Sequence, residues 1–176
     1  MKALFCWFVL TCTALAQWPA AQAPVVPAAD GYAAIPNAAL APGKGDSYRA
    51  IFDATRAAEK PAQLVPALNM AGSELNALGV AHVPLKAAKF ALVFHGPAVN
   101  GLLDNAHYRA KFGIDNPNLK TITEMKKQGT EFYVCGQYLS GEKIDPKTLT
   151  PDVTVAADAL LVLIHYQNNG YSLLSF

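Results

Sequence analysis

The sequence predicts an α/β domain built on an open, doubly wound and mostly parallel sheet with helices on both faces. Three observations carry this reading. Strand-like and helix-like segments alternate from about Ser47 to Phe176. Phe90-Ala91-Leu92-Val93-Phe94 is apolar without alternation, the mark of a strand covered on both faces. Leu64, Leu68, Ala71, Leu75 and Leu78 recur at the spacing of one helical face.

Taken in order, the chain opens with an export signal over residues 1–16. Lys2 is a short positive start, Ala3 to Leu15 is an apolar run, and Ala14-Leu15-Ala16 has the small residues that place cleavage before Gln17. The run is short for a bilayer span, which takes roughly 20 residues. A lipid anchor at Cys12 would need a small residue before the cysteine, and Thr11 fits that poorly. The expected destination is therefore the periplasm or the exterior. Residues 17–46 are rich in Ala and Pro and nearly uncharged. Pro19, Pro24, Pro27, Pro36 and Pro42 exclude a continuous helix or a central strand, so this segment reads as a loosely ordered arm laid across the domain or a partner subunit.

Residues 47–176 form the predicted domain. Tyr48 to Phe52 reads as a strand and Ala62 to Leu78 as an amphipathic helix, with Pro66 in its first turn and Gly79 at its end. The strand at Phe90 to Phe94 is followed by a sharp His95-Gly96-Pro97 turn and a helical piece starting near Gly101. Asn118 to Gln128 is a helix with Leu119, Ile122 and Met125 inward, and Gly129 closes it. Glu131 to Val134 is a strand that delivers Cys135-Gly136, and a short helix over Tyr138 to Gly141 follows. Val153 to Val155 reads as a strand or as the opening of the next helix. Ala156 to Gln167 is the last helix, and Tyr171 to Phe176 is a closing strand after the Asn168-Asn169-Gly170 turn. Asp158 interrupts the apolar stretch Val153 to Ile164, which argues against a membrane span there.

Cleavage after Ala16 removes Cys6 and Cys12, which leaves Cys135 as the single thiol and excludes an internal disulfide. Stability then rests on an apolar core, and a 52% hydrophobic content supplies one. With Lys2 gone, the remaining 13 basic residues balance 13 acidic ones, so no basic face for nucleic acid is expected. The four histidines and one thiol lack metal-ligand spacing, and no phosphate-binding glycine loop or nucleophile elbow is present. Neither a metal nor an organic cofactor is implied.

Sites in doubly wound sheets form at the carboxyl ends of strands. Cys135 stands at such an end with a short helix next, where backbone N–H groups and a helix dipole stabilise a thiolate. The alternative is a small buried hydrophobe, because free cysteine is among the most buried residue types. His95 lies past another strand end, where a base or an orienting donor would sit, or where its ring would simply bond the loop backbone. Gly96, Asn100, Gly136 and Gln137 flank these two residues and complete the candidate substrate-binding set, Asn100 also being a helix-capping residue by type.

The runs FALVFHGPAV (Phe90 to Val99), NPNLKTITEMKKQGTEFYVCGQYL (Asn116 to Leu139) and NNGYSLLSF (Asn168 to Phe176) resemble DsrE/DsrF-like proteins. That resemblance implies a flavodoxin-like three-layer sandwich and homo-oligomers, often trimers or hexamers. In the sulfur-relay members a cysteine at the position matching Cys135 carries a persulfide. Two features depart from those members: they are cytoplasmic, and Gly136-Gln137 replaces the small apolar residues that tend to follow the cysteine. The resulting expectation is an exported, sulfurtransferase-like sulfur carrier with Cys135 as acceptor and His95 as proton donor or acceptor. Its donor and acceptor, whether protein or small thiol, are not specified. The alternative is a non-catalytic oligomeric binding module for a small molecule or protein on the same fold.

Overall fold

The computed structural model describes residues 18–176, so the expected signal segment lies outside the described residues. Five strands, β1 (Tyr48–Ala54), β2 (Ala88–Phe94), β3 (Glu131–Cys135), β4 (Thr154–Ala156) and β5 (Ser172–Ser175), form one sheet in the order β4-β3-β2-β1-β5. Every pairing is parallel. The helices are α1 (Pro66–Val80), α2 (Asn105–Phe112), α3 (Asn118–Lys127), α4 (Gly136–Glu142) and α5 (Ala159–Asn168). This is the flavodoxin-like α/β architecture, with the sheet parallel throughout.

Strand alternation divides the core into two layers. Ala50, Phe52, Ala54, Phe90, Leu92, Phe94, Phe132 and Val134 face one way and bury Leu68, Leu75, Ile122, Met125 and Leu139 of α1, α3 and α4. Ile51, Ala91, Val93 and Cys135 face the other way, under Ala159, Leu163 and Tyr166 of α5. The chain steps from β1 to β4 in one direction and then returns across the whole sheet to β5. Right-handed crossovers send those two directions to opposite faces, so among the described residues α5 is the one helix on its side. Its outer surface remains apolar: Leu160, Leu161 and Ile164 are exposed.

Boundaries of α1, α2 and α5 differ from the sequence expectation for local reasons, and α4 begins at Gly136 rather than Tyr138. The first long helix starts at Pro66 rather than Ala62, because a residue before proline is driven out of the helical region and Val65 sits at ψ 132°. It then runs through Gly79 to Val80. The last helix starts at Ala159 rather than Ala156: Asp158 caps it, its carboxylate accepting from the Leu160 N–H at 2.6 Å, and Thr154–Ala156 pairs with β3 instead. Helix α2 is capped by Asp104 and not Asn100, the Asp104 carboxylate accepting from His107 N–H at 2.8 Å.

The Ala/Pro-rich arm is built into the domain over residues 22–32. Gln22 and Tyr32 form a bridge, and Val26 is fully buried. Its seat is one face of α1: Asn69, Gly72, Asn76 and Gly79, at the i, i+3, i+7, i+10 spacing of a helical stripe. A Cβ on Gly72 would lie 2.6 Å from the Ala29 methyl, and one on Gly79 would lie 2.7 Å from Val25. The arm thus occupies the volume that side chains at Gly72 and Gly79 would fill, and the helix ends one residue after Gly79, at Val80.

Candidate functional site

Cys135 ends β3 and is also the residue before the first turn of α4. Its neighbour β4 leads into α5 on the opposite face, so the carboxyl ends of β3 and β4 form the crevice where helix directions diverge. That is the switch point at which doubly wound sheets place their sites. The sulfur is bonded from both sides. Tyr138 N–H of α4 donates to Sγ at 3.4 Å, and Ala159 N–H, the first of α5, donates at 3.3 Å. Two helix amino ends thus converge on one sulfur. The residue is 6% exposed.

Gly136 makes this convergence sterically feasible. A Cβ there would stand 2.7 Å from the Ala156 carbonyl oxygen and 3.3 Å from that of Ala157, so only glycine lets the β4–α5 connection close over the cysteine. Gln137, next in α4, is exposed.

His95 follows β2 directly. Phe94 and Val134 are the last register partners of β2 and β3, so His95 and Cys135 each lie one residue further along adjacent strands at the same sheet edge. They share this edge without a hydrogen bond between them. The imidazole is engaged on its other side: Nε2 lies 2.7 Å from Asp53 Oδ1 of β1. A carboxylate only accepts, so Nε2 is the ring nitrogen that donates in this contact. Asp53 is the residue that the sequence reading missed. Its signal is the break in apolar character of Ile51-Phe52-Asp53, a charge at the carboxyl end of a central strand.

Gly96 takes a left-handed φ of 58° and begins a 3-10 turn, Gly96–Leu102. Asn100 lies inside this turn. Its Nδ2 donates to Pro97 O at 3.0 Å, and its Oδ1 accepts from Lys111 Nζ at 2.7 Å. It borders a separate cavity of about 290 Å³ with Gly101, Tyr108 and Phe112. The candidate residues therefore fall into two places: Cys135, Gly136, Gln137 and His95 at the β2–β3–β4 edge, and Asn100 on the far side of the turn. Among the described residues no helix is long and apolar enough to cross a membrane, and no group of three or more His, Cys, Asp and Glu is placed to hold a metal ion.

The fold has counterparts in known structures. The chain is similar to a protein of unknown function, MTH1491, from Methanobacterium thermoautotrophicum, at a TM-score of 0.54 and 18% identity, covering 74% of this chain and 100% of that one. It is similar also to the ychN protein from E. coli, at a TM-score of 0.52 and 16% identity, covering 73% of this chain and 99% of that one. At these identities the likeness shows the fold. A comparison with curated proteins finds no match. The DsrE/DsrF-like family model matches residues 47–176, the whole of the domain from β1 onward, and the chain belongs to that family.

Proposed function

We propose that the protein is an exported sulfur carrier that holds sulfane sulfur as a persulfide on Cys135. The observation that carries this reading is the convergence of Tyr138 N–H and Ala159 N–H on Sγ at the switch point. In the transfer, Cys135 thiolate attacks the outer sulfur of a donor persulfide. The new S–S bond forms at Sγ as the donor's S–S bond breaks, and the electron pair leaves on the donor's inner sulfur as a thiolate. No net oxidant is consumed, and delivery is the reverse step toward an acceptor thiol. His95, held by Asp53, supplies or removes the proton at the same edge. Membership of a family that includes sulfur-relay proteins supports the chemistry. The basic and apolar start of the sequence supports export, and the exposed Leu160, Leu161 and Ile164 of α5 support homo-oligomers.

A second reading, a non-catalytic oligomeric binding module, draws on the burial of Cys135 at 6% exposure. Intact-mass analysis after exposure to inorganic polysulfide separates the two. The carrier gains 32-Da increments (about one sulfur atom each) that a reductant removes and that Cys135→Ser abolishes while assembly persists. A native protein that never gains sulfur, with Cys135 labelled only after denaturation, is a binding module.

A further inference from the structure

At the amino ends of β1, β2 and β3, on the face that α5 covers, lies a concavity of about 500 Å³. It is on the opposite sheet edge from Cys135, and the sulfur chemistry does not use it. Its floor holds Arg49 and Lys89, which are register partners on adjacent strands. Like charges side by side on one sheet face repel. Among the described residues neither cation takes part in an ion pair. Glu131, the carboxylate in the lining, bonds the aromatic side rather than the cations: Tyr133 OH donates to its Oε2 at 2.9 Å, and Tyr166 OH donates to Tyr133 OH at 3.1 Å. Burial, followed by the bond to Tyr133, drives the Tyr166 phenol far above its ordinary range, so that hydroxyl stays a donor.

The wall is aromatic. Tyr166 and Tyr171 meet edge to face at 4.8 Å between centroids, and the His165 ring stands edge-on to Tyr166 at 5.6 Å. A paired cationic floor beside an aromatic wall fits a ligand with two matching parts, and the volume lies within the range of small-molecule sites. We propose that this concavity binds a ring-bearing oxyanion, an aromatic phosphate, sulfate or carboxylate, with the oxyanion between Arg49 and Lys89 and the ring against Tyr171.

Calorimetric titration of the intact protein with phenyl phosphate, inorganic phosphate and phenol tests the assignment. Phenyl phosphate should saturate one site per chain. The double variant Arg49→Gln with Lys89→Gln should weaken it about tenfold or more, the equivalent of about 1.4 kcal/mol. Tyr171→Ala should weaken phenyl phosphate but leave inorganic phosphate unchanged. Both cations are exposed, so their replacement leaves the core intact. Failure of phenyl phosphate to saturate, indifference to the double variant, or phenol binding as well as phenyl phosphate would each overturn the proposal. Light scattering on the same samples adds a further outcome: assembly lost in the double variant, without phenyl phosphate binding in the parent, gives the two cations to a subunit contact instead.

Discussion

The Ala159 backbone N–H donates to Cys135 Sγ across 3.3 Å, tying the first residue of α5 to the last residue of β3. With Tyr138 N–H at 3.4 Å, the sulfur becomes the meeting point of two helices that leave the sheet on opposite faces. Sheet topology produces this relationship: the step to β4 and the return to β5 put two helix starts beside the end of β3.

Gly136→Ala tests that closure. The added methyl meets the Ala156 carbonyl oxygen at 2.7 Å, so the β4–α5 connection has to retreat and carry Ala159 N–H off the sulfur. The expected cost is about 1–3 kcal/mol, typical of overpacking. The thermal midpoint should fall, and Cys135 should be labelled faster by a neutral disulfide reagent as its cover opens. An unchanged midpoint together with an unchanged labelling rate would show that the connection does not lean on Gly136.

Asp53→Asn examines how His95 is held. The ionised carboxylate fixes the proton on Nε2, whereas an amide accepts or donates and so permits either tautomer. The imidazole 15N shifts should show one Nε2–H tautomer in the parent and a mixture in the variant, with a stability loss of about 1 kcal/mol. Retention of the single tautomer would remove Asp53 from this role. A purely structural contact would lower stability without moving the nitrogen shifts.

Much of the domain was legible in the sequence, because its strands and helices are set by local patterns. The unbroken apolar run at Phe90 to Phe94 marks a strand covered on both sides, and Leu68, Ala71, Leu75 and Leu78 mark the buried face of α1. Cys135 was legible as a strand-end residue followed by a short helix. What was hidden depends on distant pairs. Asp53 and His95 are separated by 42 positions, and Ala159 and Cys135 by 24, so neither contact leaves a local trace. Gly79 lies one residue from the helix end, as its type suggests, and only the docked arm shows that it also seats another segment.

Acid stability should depend on Asp152, which joins the turn before β4 to α3. The Thr123 hydroxyl, at 2.7 Å, and then Lys126 hold its carboxyl below the ordinary value of 3.8, although partial burial opposes them. The native state therefore binds this proton less readily than the unfolded chain. The contribution is fully present above about pH 4 and is lost as pH falls through the lower native value. For a largely solvated pair it amounts to about 0.5–1 kcal/mol at neutral pH. Asp152→Asn should unfold earlier than the parent at pH 7 and show a smaller decline from pH 5 to pH 3. Parallel pH profiles for the two proteins would dismiss the linkage.

The arm gives the sharpest prediction, because one buried side chain makes four hydrogen bonds to its backbone. Asn76 is fully buried. Its Oδ1 accepts from Val25 N–H at 3.0 Å and Val26 N–H at 2.8 Å, and its Nδ2 donates to Val26 O at 3.0 Å and Asp30 O at 3.1 Å. Asn76→Leu keeps the approximate volume but strands these backbone groups, at a cost of about 2–4 kcal/mol. The denaturant midpoint should drop accordingly. Amide exchange at Val25 and Val26 should accelerate well beyond that in β1 to β3, because the arm opens before the sheet does. Asn76 lies on α1, across the sheet from the face that holds Cys135, so the thiol labelling rate should stay at the parental value. Faster exchange throughout the sheet, with the arm no faster than the rest, would mean that Asn76 stabilises the domain as a whole and does not specifically latch residues 22–32.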